Sequence, residues 1–180
     1  MVLCGAMSNE QALFEKTKKG DKEAFGEIYR LFVQRIFRFI YYMVKDREHA
    51  EDLSQNTFVK LWRNISLYDS KRGSPSTFIF TIAKNLVFDE ARKTKTVKLE
   101  QLGETADHTD LIEGYKKVEA RDEVKKFLRH LESEERELLI LRFFEEMSFA
   151  EIAEIFKIRE TAVRVRVHRI LQKLKKVTGL

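Results

Sequence analysis

Apolar residues recur at spacings of three and four along almost the whole chain, and period-two alternation is rare, so the pattern predicts helices. Ser8 or Asn9 stands where it caps a short helix ending at Gly20. Asp21 then opens a long one whose buried stripe runs through Phe25, Ile28, Leu31, Phe32, Ile36, Phe39, Ile40 and Met43. Asp46 caps a third, reaching to about Ile65, and Pro75 suits the first residue of a fourth, "PSTFIFTIAKNLVFDEARK". The polar segment "SLYDSKRGS" lies between these two. Helical spacing dissolves from Lys95 and resumes near Lys117. With one proline and seven glycines to interrupt 180 residues, the expectation is an all-α chain of two small domains, 8–94 and 117–177, joined by a linker over 95–116.

Residues 160–176, "ETAVRVRVHRILQKLKK", allow two readings. Ala162 to His168 alternates as a strand would. Over the longer window, Val163, Val167, Ile170, Leu171, Leu174 and Val177 gather into an arc of roughly 120° at 100° per residue, and the helical match is the longer one. Arg164, Arg166, Arg169 and Lys173 then face away from that stripe, with Ala162 and Val165 among them. Basic side chains interspersed with small apolar ones suit a major groove, where arginine meets guanine or phosphate and a methyl group meets thymine. A charged surface helix with one stray valine is the plainer alternative.

The preceding segment supports the groove. Ser148 with Glu151 forms a capping-box pattern, Ile152 and Ile155 face inward, and Ala153 is small where two helices approach closely. A short turn leads to Glu160. Two helices so joined resemble a helix-turn-helix, with Ile158, Val163 and Val167 as the matching surface and the second helix left to enter DNA. Arg159 and Glu160 join the groove or phosphate candidates. Lys157 stands where a left-handed turn favours glycine, at a cost of about 1 kcal/mol, so packing must hold the turn. A helix-turn-helix hairpin that binds only protein remains a rival.

Charge distribution refines this picture more than total charge does. The net charge of +5 permits contact with polyanions. Arg159 to Lys176 holds seven Lys or Arg against one acid, whereas Glu100 to Glu113 holds five acids and no Lys or Arg. The acidic stretch is expected to be a solvated linker, with a resting place along a basic channel as the alternative. Cys4 is the only cysteine, so no intrachain disulfide is possible and a reducing cytoplasm is the simplest compartment. "MVLCGA", ahead of Met7, lacks the charged start of a signal peptide, and the runs "FIYYMV" and "LLIL" are far below membrane-spanning length.

The sequence shows no pattern expected of an enzyme. His49, His108, His130 and His168 are scattered, no HExxH or Cys/His ligand spacing occurs, and neither a GxxxxGKS phosphate loop nor a GxSxG elbow is present. Carboxylates sit at helical spacing with Lys or Arg, as a solvated face does. The expectation is a protein that is not an enzyme and uses no cofactor or metal.

In the third helix, Ala50, Leu53, Thr57, Phe58, Leu61, Trp62 and Ile65 share the inner arc, and Glu48, Asp52, Gln55, Asn56 and Val59 the outer one. An outward valine among acids and amides suits docking; the spacing alone equally describes a wet face. The succession "HAEDLSQNTFVKLW", "STFIFTIAKNLVFDEARK", "LLILRFFEEMSFAEIAEIF" and "TAVRVRVHRILQKLKK" resembles the sigma factors of bacterial RNA polymerase. The match is to the extracytoplasmic-function subgroup, which has only regions 2 and 4, and it covers the chain from about residue 10 to 176.

The resemblance implies an initiation subunit whose partners are core RNA polymerase and promoter DNA. It carries a polymerase-docking role to Glu48, Asp52, Gln55, Asn56 and Val59. It carries contact with the melted −10 element to Tyr68, Lys71, Arg72, Asn85, Asp89, Arg92 and Lys93, and contact with the −35 element to Arg159, Glu160, Ala162, Arg164, Val165, Arg166, Arg169 and Lys173. Region 4 would also sit on the polymerase flap through an apolar and acidic surface. By analogy the family adds an anti-sigma factor as a partner. Departures occur where the family usually has Trp (Phe78), often Arg (Thr81), Gly (Lys157) and Ser (Arg159), which leaves the promoter sequence open. The rival functions are a stand-alone helix-turn-helix regulator and a protein-binding adaptor. A further expectation is that in the free chain the two domains associate and hide their DNA faces.

Overall fold

The computed structural model describes residues 3–98 and 131–178, and within them every regular element is helical. The N-terminal half contains α1 (Leu3–Lys18), α2 (Lys22–Val44), α3 (Arg47–Asn64) and α4 (Pro75–Lys98), with a 3-10 turn at Ile65–Leu67. The C-terminal half contains α5 (Ser133–Leu139), a wide π turn at Ile140–Phe144, α6 (Phe149–Phe156) and α7 (Glu160–Thr178). The expected linker and the start of the second domain lie largely outside the described residues.

Local chemistry sets most helix ends. The Asp21 carboxylate accepts from the N–H groups of Glu23 and Ala24, each at 3.0 Å, and Asp46 accepts from His49 N–H at 2.7 Å. Each aspartate satisfies donors that the first turn would otherwise leave without partners. Between them, α2 ends on Lys45 in the left-handed region (φ 60°), its N–H donating to Tyr41 O at 2.8 Å. Pro75 begins α4, and the Ser74 hydroxyl accepts from Thr77 N–H at 3.1 Å. The first helix starts earlier than Ser8 or Asn9 would have it.

In the N-terminal half, α2 is the central element and packs against α1, α3 and α4. Ile28, Phe32, Ile36, Phe39 and Ile40 are all buried, as their spacing predicts, whereas Leu31 is exposed. On α3 the inner arc buries Ala50, Leu53, Thr57, Phe58 and Leu61. Thr57 and the unforeseen Ser54 are accommodated because their hydroxyls donate to Leu53 O (2.8 Å) and Ala50 O (2.6 Å). Trp62 does not join the core: it is 38% exposed, with its ring edge-on to Phe25 at 4.9 Å.

In the C-terminal half, Val163, Val167 and Ile170 of α7 are buried against Ile152, Ala153 and Ile155 of α6. The strand reading of 162–168 is thereby excluded. Farther along the predicted stripe Leu174 is half-buried and Leu171 is 39% exposed. Lys157 adopts φ 54°, and the turn is a Schellman closure: Lys157 N–H donates to Glu154 O (3.2 Å) and Ile158 N–H to Ala153 O (3.1 Å), with Ile158 packed on the core. A lysine there carries left-handed strain that glycine would not. Lys157→Gly is expected to raise the stability of the C-terminal domain by about 0.5–1 kcal/mol, read as a shift in the urea midpoint.

The two halves are in contact. α2 packs against α5, α4 packs against α6, and the buried residues of both halves form one continuous cluster.

Candidate nucleic-acid and docking surfaces

Burial of Val163, Val167 and Ile170 turns the opposite face of α7 outward, where Arg164, Val165, Arg166, Arg169 and Lys173 are all exposed. Val165, 49% exposed, stands among cations at the position expected of a groove-facing residue. Arg159 is exposed just before the helix, with Glu160 and Ala162 half-buried. Several of these side chains have acidic partners. Glu160 accepts from Arg164 Nε at 3.0 Å, Glu134 of α5 pairs with Arg166, and Glu135 accepts from Lys173 Nζ at 2.8 Å. Burial raises the Glu135 pKa, but hydrogen bonds from Lys173 and the Glu132 N–H, with the Lys173 charge, outweigh it and hold the carboxyl below its ordinary value. Exposed ion pairs of this kind contribute about 0–1 kcal/mol each, so a polyanion can displace them. Arg164 is further steadied over the Phe149 ring, 4.7 Å from its centroid, and Arg142 lies at the same distance.

The segment before α4 forms a turn in which Asp69 accepts from Lys71 N–H through its carboxylate and from Arg72 N–H through its carbonyl, both at 3.0 Å. Lys71 and Arg72 are exposed as a result. Tyr68 corrects the expectation placed on it. Its ring is 2% exposed, wedged between Phe14 (4.9 Å) and Phe78 (5.6 Å), and it offers no face to an extruded base in this conformation. Burial, then the nearby carboxylates of Glu15, Asp69 and Glu10, pushes its phenol up to about 12. The neighbouring Leu67 is 71% exposed instead. On α4, Asn85 and Arg92 are exposed, and Arg92 pairs with the half-buried Asp89 at 2.9 Å. The Lys93 side chain lies outside the described residues. Phe88, which residue type did not single out, is exposed on this face one turn from Asn85 and Arg92, and Lys84 Nζ sits 5.7 Å from its ring.

Glu48, Asp52, Gln55, Asn56 and Val59 are all exposed along the outer face of α3. Beside them a groove of about 290 Å³ opens between α2 and α3, lined by Tyr29, Val33, Gln34, Phe37, Gln55 and Phe58 among others. The α2 side of this surface was not foreseen, because Tyr29 and Phe37 share spacing with core positions. Among the described residues, no group of three or more His, Cys, Asp or Glu is placed to hold a metal ion, and no helix is long and apolar enough to cross a membrane.

A helix-turn-helix with a basic outer face, packed beside a four-helix unit with an acidic and amide-rich flank, defines a helical DNA-binding protein of two units. The comparisons give this class its family. Residues 28–97 match Sigma-70 region 2 and residues 121–174 match Sigma-70, region 4. The chain is 30% identical to the RNA polymerase sigma factor YlaC of Bacillus subtilis, over 86% of this chain and 92% of that one. It is 29% identical to the ECF RNA polymerase sigma factor SigW of the same organism, over 90% and 92% of the two. Among solved structures, CnrH in complex with the cytosolic domain of CnrY shares the fold at TM-score 0.69 and 20% identity, covering 95% of this chain and 97% of that one. RpoE in complex with the anti-sigma factor NepR from Bartonella quintana does so at TM-score 0.71 and 23% identity, covering 87% and 97%. The chain belongs to the RNA polymerase sigma factor family, in its extracytoplasmic-function subgroup, and directs transcription initiation.

Proposed function

We propose a division of labour over three surfaces. The outer face of α7, from Arg159 to Lys173, reads the −35 element. The 64–76 loop with Lys71 and Arg72, and the face of α4 bearing Asn85, Asp89, Arg92 and Lys93, captures the opened −10 element; Tyr68 supports this loop from beneath. The outer face of α3, from Glu48 to Val59, docks on core polymerase. An anti-sigma factor is a further partner, in keeping with the complex from which the RpoE relative is known. On this reading the chain acts in the cytoplasm, catalyses no step of its own, and supplies binding energy that polymerase uses.

The observation that carries the assignment is the split of α7 into a buried valine and isoleucine stripe and an exposed arginine face with Val165 at its centre. Base flipping costs a few kcal/mol, which contacts made only to the opened strand can offset. Holding both DNA-binding surfaces on one polymerase makes the second contact effectively intramolecular, so weak separate affinities suffice.

In vitro transcription with core polymerase, with and without this chain, tests the reading. RNA chains starting only when the chain is present support it. Tight, specific duplex binding without polymerase would favour the stand-alone regulator instead. Val59→Lys is expected to weaken core polymerase affinity roughly tenfold, as loss of a central interface contact does, while leaving the melting temperature unchanged.

A further inference from the structure

Glu145 follows the π turn, next to the exposed Glu146. The Glu145 side chain is instead fully buried between two arginines of the other half. Arg35 Nε donates to Glu145 Oε2 at 2.9 Å, Arg38 Nε donates to Oε1 at 3.0 Å, and Arg38 Nη2 reaches both Oε1 (2.5 Å) and the Phe144 carbonyl (3.3 Å). The contact spans 110 residues of sequence.

Arg35 is positioned largely by its own half, whereas the Arg38 guanidinium is held by Glu145 and the Phe144 carbonyl. Arg35 lies over the rings of Phe32 and Phe80, at 5.2 and 5.4 Å, and 4.0 Å from Glu10. Glu10 also accepts from the Ser76 hydroxyl at 3.5 Å, at the start of α4. One carboxylate thus links Arg35 to the end of the 64–76 loop. Planar guanidinium groups bind carboxylate and phosphate oxygens with the same paired hydrogen-bond geometry. Without Glu145, two half-buried cations would stand unpaired by it, Arg35 linked to the end of the DNA-handling loop through Glu10, which lies 4.0 Å away.

The same half covers the loop itself. Glu151 Oε1 accepts from the Ser74 hydroxyl at 2.8 Å, and Glu154 Oε2 lies 2.7 Å from where a side-chain carbon on Gly73 would stand. Lys84, on the DNA face of α4, is drawn over Phe156 of α6, 4.8 Å from the ring centroid.

We propose that Arg35 and Arg38 form a phosphodiester-binding site for single-stranded DNA, and that Glu145 occupies it in the closed chain. The C-terminal half then acts as an internal competitor: its carboxylates hold the site and the adjoining loop until the two halves separate. This rests on the promoter-opening role given above to the N-terminal half.

The test uses the full chain and a fluorescent single-stranded oligodeoxynucleotide of mixed sequence. Glu145→Gln should bind it about tenfold more tightly than the parent at low salt, as expected if the open fraction rises from about a tenth to near unity. Adding Arg35→Ala and Arg38→Ala in that background should return binding to the parent level. Circular dichroism checks folding, and should Glu145→Gln fail to fold, Glu145→Asp, which keeps the charge and shortens the reach, should give a smaller gain. Unchanged affinity in the folded Glu145 variants overturns the proposal. So does a gain that survives loss of both arginines, or one confined to core polymerase binding, which would assign the pair to the enzyme instead. Transcription by the parent chain with core polymerase is a separate readout, so the sigma role and the internal competitor can fail independently.

Discussion

Glu137→Gln is expected to stabilise the protein by about 2–3 kcal/mol at pH 8 and to change little at pH 5. Glu137 is buried in α5. Burial, offset in part by Lys84 and aggravated by Glu134, pushes its carboxyl from 4.5 up to about 7. A raised carboxyl pKa means that the native state holds a proton the unfolded chain has already released, so stability falls as pH rises through the window from about 4.5 to about 7. Above that window the whole penalty is present, and glutamine, a neutral shape match for the protonated acid, removes it. Thermal melts of parent and variant between pH 5 and pH 8 measure this. Parallel profiles would show that Glu137 is not the group responsible.

Arg166→Ala should lower −35-dependent promoter binding by polymerase carrying this chain by roughly 1–3 kcal/mol, or about 5- to 150-fold. The melting temperature should hardly move, because the pair that Arg166 makes with Glu134 is exposed on both sides and contributes little. The split between a large binding effect and a small stability effect is the informative feature. A variant that initiates normally from a −35-dependent promoter would remove Arg166 from the reading face, whereas one that melts early would recast it as structural.

Short-range chemistry was the most legible part of this sequence. Asp21, Asp46 and the Ser148–Glu151 pair cap helices where their spacing says they should, since a cap depends only on a side chain and the next few N–H groups. The basic face of α7 and the acidic and amide-rich face of α3 were also readable, because helical periodicity alone decides which residues point outward. Contacts between the halves were not: nothing local to "FFEEM" distinguishes Glu145, which is buried, from Glu146, which is exposed. The apolar run ahead of it reads as unbroken helix, yet it opens into a π turn where Glu145 N–H donates to Ile140 O at 3.1 Å, while Tyr42 meets Phe144 at 5.4 Å. The burial of Tyr68 was hidden for a related reason. Residue type says what a ring can do, and burial decides whether it is free to do it.

Tyr68 also ties the ends of the N-terminal half together. Its hydroxyl is buried without a hydrogen-bond partner, its ring is gripped by Phe14, and its carbonyl accepts from Lys18 Nζ at 2.8 Å. Two residues of α1, Phe14 and Lys18, therefore hold Tyr68 at the base of the 64–76 loop. Any rearrangement that swings Tyr68 outward must first unseat α1, so shortening that helix would be felt as altered kinetics of strand opening some fifty residues downstream.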